Sequence, residues 1–322
     1  MADATLSREQ NDVRVTAQAA VTLGEVWQMP DGRAAAYAGT TAATSGDRTQ
    51  FRSWGQYVLT KAAGFVGLDG GRAFWDHSAN AVTYKKVNDR DFYLGRFVGD
   101  AASADTTCTV NLNVDPPYDL DLARDPFVTS PVGTQALGGF LPPQRLGGGL
   151  AFNLTATSEA QKVDAISVDG FAKGANAIVE FAFRVPTGGS TSAVDYSIGV
   201  ANATHATDAD SIADSIFIHL DGGSTTINAE SDDGTTEVAA TSTSTTFTAG
   251  STVSERVECW LDVRDPTSVK VYVNGSRVLS GTAFNVDAYA GPWYLLVHLE
   301  KTSGTATADL VLDWMRARYS EQ

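Results

Sequence analysis

Between Glu255 and Val278 the chain reads ERVECWLDVRDPTSVKVYVNGSRV, and this stretch limits the fold more than any other. Val257, Cys259, Leu261 and Val263 occupy alternate positions, Arg-Asp-Pro-Thr turns the chain, and Val269, Val271 and Val273 resume the alternation. A period of two marks a strand with one buried face, because successive side chains of a strand point to opposite sides of the sheet. Asn274-Gly275 then supplies the two left-handed residues of a type I′ hairpin turn. If Val263 faces Val269 across the first turn, Cys259 opposes Val273 and Trp260 opposes Tyr272.

The same pattern recurs. AIVEFAFRV places Val179, Phe181, Phe183 and Val185 on one face, and DYSIGVAN, SIFIHLDGG, TTINAES, EVAATS, WYLLVHLEK and ATADLVLDWMRARY follow. About ten antiparallel strands, each with one apolar face, imply two sheets packed face to face. Earlier in the chain VRVTAQAAV, QYVLTKA, RAFWD and TTCTVNLNV alternate as well, separated by turns such as Leu68–Gly71, which suits a small β-barrel or sandwich. The one candidate helical piece is a single turn around Asp208–Ile216. The fold class is therefore all-β, a small N-terminal barrel or sandwich followed by a larger C-terminal sandwich.

Residues 114–150 interrupt the pattern. Six of the ten prolines (Pro116, Pro117, Pro126, Pro131, Pro142 and Pro143) fall there, and Gly147–Gly149 close the segment. Prolines lack ladder donors and glycines lose the most entropy on ordering, so an extended connector is predicted, with Phe127, Phe140 and Leu141 covered. The organisation expected is a polar, flexible arm over residues 1–12, a domain over 13–113, the connector, and a domain over 151–322.

Charge separates the halves. The net charge of −15 divides into −1 over residues 1–113, −2 over 114–150 and −12 over 151–322. So acidic a C-terminal half repels phosphate backbones and anionic bilayers, arguing against nucleic-acid and membrane partners. The N-terminus lacks a basic stretch leading into an apolar one, and no run of about 18 apolar residues occurs, so neither a signal peptide nor a membrane span is predicted. Cys108 and Cys259 are too few for a disulfide framework and fall on apolar strand faces, where buried thiols are expected.

Chemistry-bearing constellations are sparse. His77, His205, His219 and His298 show no HxH, HExxH or HxxxH spacing, and no nucleophile elbow or phosphate loop is present, so neither metal nor cofactor nor catalysis is predicted. Asp208, Asp210 and Asp214 lack the pattern of an EF-hand and read as a solvated loop. Among Glu230, Asp232 and Glu237, Glu230 and Asp232 are candidates for the acid pair of a jelly-roll glycosidase, while Asp233-Gly234 is a turn signal that puts Glu237 on another strand. Trp260 and Tyr272 point away from the apolar face, available to stack a sugar ring or to be covered by a second layer.

Two resemblances add to this reading. GQYVLTKAAGFVGLDGGRAFWDHSANAVTYKKVNDRDFYLGRFVGDAASADTTCTVNLN resembles the capsid cement, or head decoration, proteins of tailed bacteriophages, through the Gly-rich turn before Trp75-Asp76, the Lys86–Asn88 segment before Gly95, and the closing Asp105–Asn113 strand. That resemblance implies a trimer on the outer capsid surface contacting the major capsid protein, with Thr5, Leu6, Val13 and Val15 as candidate capsid contacts. VKVYVNGSRV and LVLDWMRARY resemble concanavalin-type, laminin-G-like jelly rolls. The expectation is a structural virion protein displaying an acidic lectin-like domain; the alternative is an adhesion or carbohydrate-binding module, with a jelly-roll glycosidase as a weaker one.

Overall fold

The alternation read in the sequence becomes an almost all-strand chain. The computed structural model describes residues 12–134, 137–138, 149–188 and 192–320, and the chain divides between Pro117 and Tyr118. Thr5 and Leu6 lie outside the described residues, as do Phe140 and Leu141.

The first unit begins with β1 (Asp12–Thr16), β2 (Val26–Gln28), β3 (Ala34–Tyr37) and β4 (Arg48–Arg52), a four-stranded sheet in the order β1-β4-β3-β2. A second, five-stranded sheet contains β5 (Gln56–Thr60), β6 (Arg72–Asp76), β7 (Ala81–Thr83), β8 (Phe92–Phe97) and β9 (Thr107–Leu112), ordered β5-β9-β8-β6-β7. A bridge between Lys61 and Val82 draws the end of this sheet back towards its start, giving the barrel-like curl expected. β3 is alanine-rich because both its faces are covered: Ala34 and Ala36 join Leu59, Trp75, Leu94 and Val110 in one core, while Ala35 packs with Val21, Met29 and Phe51 on the other side. Asn113, at φ +55°, ties the two sheets by donating from Nδ2 to the carbonyls of Ala34 and Ser53 and accepting from Ala34 N–H. Val13 and Val15, the other two candidate capsid contacts, are partly buried against the Phe51 cluster.

The second unit is a jelly-roll sandwich. Its first strands are β10 (Leu120–Asp121), β11 (Phe127–Val128), β12 (Leu137–Gly138), β13 (Leu150–Leu154), β14 (Gln161–Ser167), β15 (Ile178–Thr187) and β16 (Val194–Ala201). There follow β17 (Asp214–Asp221), β18 (Thr226–Asp233), β19 (Glu237–Thr246), β20 (Val257–Asp262), β21 (Lys270–Val273), β22 (Ser276–Val278), β23 (Tyr294–Lys301) and β24 (Ala308–Arg318). One sheet runs β11-β14-β23-β16-β17-β18-β19; the other runs β12-β13-β24-β15-β20-β21-β22, with β10 also on β24. Their facing sides make one core containing Val179, Phe181, Phe183, Ile198, Ile218, Leu261 and Val297. The hairpin read from the sequence holds in detail: Cys259 pairs with Val273, Trp260 with Tyr272, and Asn274-Gly275 turns at φ +48° and +80°.

The connector is corrected. Its described residues from Tyr118 onward belong to the sandwich: Leu120 and Asp121 pair with Ala317 and Arg316, Phe127 and Val128 pair with Ser167 and Ile166, and Phe127 packs against the core. The helical turn predicted around Asp208–Ile216 is a single 3-10 turn over Ala209–Ser211. Both cysteines are buried, and burial lifts the Cys108 thiol to about 12.

Phe183, wholly buried between the sheets, tests the core. Phe183→Ala is expected to cost about 3–5 kcal/mol in chemical denaturation, whereas Val58→Ala, at a side chain 71% exposed, should stay within about 0.5 kcal/mol of the parent.

Candidate functional site

The inner face of the seven-stranded sheet is apolar, so alternation sends the residues between to its outer face. Pairing then aligns them laterally. Asp164, His298, Ser197, His219 and Asn228 stand opposite one another across β14, β23, β16, β17 and β18. The next row is Lys162, Glu300, Asp195 and Asp221. A row in the other direction holds Ile166, Leu296, Gly199, Phe217 and Glu230.

The segment between β16 and β17 crosses this face. Its Ala209 and Ile212 bury against Ile166, Phe217 and Leu296. At the polar end, Lys162 Nζ donates to the His205 carbonyl at 2.9 Å, to Ser130 Oγ at 2.6 Å and to Asp164 at 3.1 Å. Asp164 in turn accepts from Thr204 Oγ1 at 2.5 Å and from Ser130 N–H at 2.7 Å. Asp208 caps the 3-10 turn by accepting from Asp210 N–H at 3.0 Å. The strap thus delivers Asp208 and Asp210 to the row of strand-borne groups.

His219 is the centre of the arrangement. Nδ1 lies 3.2 Å from Glu230 and 3.8 Å from Asp210, while Nε2 lies 3.1 Å from Asp221 and 3.9 Å from Asp195. Burial works against a charged ring, but the Glu230 hydrogen bond and the charges of Glu230 and Asp210 outweigh it and push the pKa up to about 10. Asn228 Nδ2 donates to Asp221 at 2.9 Å and fixes that carboxylate. Burial raises Asp195 to about 6 and Glu300 to about 8, the latter helped by the charges of Asp208 and Asp195. His298 is driven by burial down to about 4, although its Nε2 meets the His205 carbonyl at 3.2 Å.

Beside His219 a cleft is lined by Asp210, Ser215, Glu230, Asp232, Glu237 and Val238. The Asp233-Gly234 turn does carry Glu237 onto another strand, yet the hairpin sets it directly opposite Asp232. The separation inferred from the turn is therefore along the chain only; all three carboxylates reach one cleft. Asp210, assigned to a solvated loop, is also part of it. Sequence reasoning weighed His219 and His298 only for metal spacing along one segment and gave them no role. The available signal was the repeated His-Leu-acid of His219-Leu220-Asp221 and His298-Leu299-Glu300, whose spacing puts histidine and carboxylate on one strand face.

Trp260 and Tyr272 lie on the outer face of the other sheet with ring centroids 5.9 Å apart. Tyr272 is only 5% exposed, so the pair offers no open stacking platform; Trp260 alone is half-buried. Near them Tyr118 donates to Glu180 at 2.6 Å, and Glu180 is ion-paired with Arg318.

Fold and site together define an all-β protein whose C-terminal jelly roll carries an acidic, histidine-centred outer face. Residues 150–313 match the family model described as SO2946-like, C-terminal domain, and the chain belongs to that family. No curated protein matches. Among solved structures, the carbohydrate recognition domain of Emp47p is 12% identical, covering 62% of this chain and 94% of its own, with a TM-score of 0.41. A structure from work on endo-acting O-glycanases of the human gut microbiota is 11% identical, with coverage of 61% and 92% and a TM-score of 0.40. LamAcat from Zobellia galactanivorans is 14% identical, with coverage of 54% and 78% and a TM-score of 0.37.

His298 gives the site a pH signature. Its folded pKa lies below the unfolded value of 6.5, so its contribution to stability is present above pH 6.5 and is lost as pH falls through about 4. Between pH 7 and 4 the parent should lose on the order of 3 kcal/mol more than His298→Gln, read from urea midpoints.

Proposed function

We propose that the C-terminal unit is a glycan-binding module whose ligand lies on the outer face of the seven-stranded sheet. The observation that carries this reading is the cleft in which Asp210, Glu230, Asp232 and Glu237 converge. Carboxylates accept hydrogen bonds from sugar hydroxyls, and such charge-assisted bonds are the stronger kind. The same acidity repels uronate and sulfate, so the ligand is a neutral or amine-bearing glycan. Recognition is polar here, since the exposed aromatic pair that sugar stacking needs is missing among the described residues of the cleft.

The test is a glycan array with the full chain. Binding to neutral glycans is expected, with a loss of about tenfold or more in Asp232→Asn, which removes a charge and keeps the shape. No binding to any glycan, or binding confined to Trp260→Ala-sensitive ligands, contradicts the reading. Carboxylates on one cleft are also the equipment of glycoside hydrolysis. Incubation with the bound glycan is expected to leave it intact; reducing ends released by the parent and lost in Glu230→Gln would make the protein an enzyme.

A second reading concerns the first unit. Trp54 and Val58, 51% and 71% exposed, give it an apolar surface suited to a protein partner. With its near-zero charge this favours docking on a viral shell through the major capsid protein, as a homotrimer, while the acidic unit is displayed. Co-sedimentation with expanded, undecorated capsids is the expected outcome of that reading, and failure with the cognate shell would remove it.

A further inference from the structure

We propose that His219 Nε2, Asp195 and Asp221 form a binding site for a divalent first-row transition-metal ion of the zinc class. The three ligand atoms lie within 4.8 Å of one another. Nε2 stands 3.1 Å from Asp221 and 3.9 Å from Asp195. Two ligands bound tetrahedrally at about 2.1 Å from one ion sit about 3.4 Å apart, so the spacing needs only small side-chain adjustment to close on a metal.

The scaffold is rigid. His219 and Asp221 are alternate residues of β17, and Asp195 of β16 is paired directly with Asp221. No ligand comes from a loop, which favours a fixed geometry. The supporting shell is present as well. Glu230 accepts the hydrogen on His219 Nδ1 at 3.2 Å and orients the ring so that Nε2 faces Asp195 and Asp221; an ion that replaces the Nε2 proton completes the carboxylate–histidine–metal order. Asn228 holds the second oxygen of Asp221 at 2.9 Å.

An independent observation points to a cation. Glu300, paired with Asp195 in the same row, is 2% exposed and its Oε2 has no hydrogen-bond partner. Its nearest basic atom, His298 Nδ1 at 3.4 Å, is also left unpartnered. The carboxyl accepts from the Ala209 backbone N–H, yet it is buried beside Asp195, Asp208 and Asp210, a crowding of negative charge that a bound cation relieves. The chemistry of the set selects the ion. One imidazole with two carboxylates suits zinc over calcium or magnesium, which take oxygen ligands alone. Asp195 and Asp221 side chains are 26% and 46% exposed, so the ion can enter from solvent and keep water in its remaining positions.

The experiment is a titration of the full chain, stripped with a chelator, with ZnCl2 in excess MgCl2. One Zn2+ per chain is expected, displacing the His219 resonances and leaving those of His77 and His205 in place in an imidazole proton–nitrogen correlation spectrum. That readout needs no variant. Asp195→Asn and Asp221→Asn, isosteric and partly exposed, are each expected to weaken binding by about tenfold or more while leaving the circular dichroism spectrum unchanged. No Zn2+ uptake, uptake that moves His77 or His205 instead, uptake unaffected by both substitutions, or displacement of Zn2+ by Mg2+ would overturn the assignment.

Discussion

Taking a charged group out of water costs several kcal/mol unless partners replace the lost hydration. The outer face of the seven-stranded sheet is organised by that constraint. Strand alternation places Lys162, Asp164, Asp195, His219, Glu230, His298 and Glu300 there, and the strap between β16 and β17 closes over part of them. The buried Lys162–Asp164 pair survives because each member has other bonds. The lysine reaches Ser130 and the His205 carbonyl, and the aspartate receives Thr204 and Ser130. These bonds join a piece of the former connector, a sheet strand and the strap at one point. Removing one partner would strand the other charge, so the position of the strap and the placement of Asp208 and Asp210 depend on this junction.

Features set by neighbours in sequence were the most legible. Alternation fixed which face of β15, β20 and β21 is buried, and Asn274-Gly275 fixed the register that opposes Trp260 to Tyr272. Proline content misled at the connector for a physical reason. A proline is incompatible with a central ladder, but two-residue pairings at a margin ask for few donors. Phe127–Val128 sits at the edge of its sheet, after Pro126 and before Pro131, and Leu120–Asp121 pairs briefly with β24. The composition was read correctly as hostile to long strands; it does not forbid short ones that seal a sandwich.

The site was less legible because it is lateral. β23 lies between β14 and β16, about 130 residues from the first and about 100 from the second along the chain, so His298 and Glu300 meet Asp164 and Asp195 only once strand order is known. A search for metal or catalytic spacing along one segment does not detect ligands contributed by successive strands. Glu237 shows the same effect on a smaller scale, since the turn that separates it from Asp232 in sequence is what pairs them in space.

The carboxylates around His219 repel one another, and one imidazolium does not neutralise Asp195, Asp210, Asp221 and Glu230. Something else holds them together. Ala209 and Ile212 of the strap, buried against Phe217 and Leu296 of the sheet, supply that attraction. Full burial of each large apolar side chain contributes about 1.5–3 kcal/mol. The apolar half of the outer face thus offsets repulsion in the polar half, and the acidic groups are gathered before any ligand arrives. A hydroxyl-bearing or cationic ligand then meets acceptors already in place and forgoes the ordering cost that a flexible acidic loop would impose on binding.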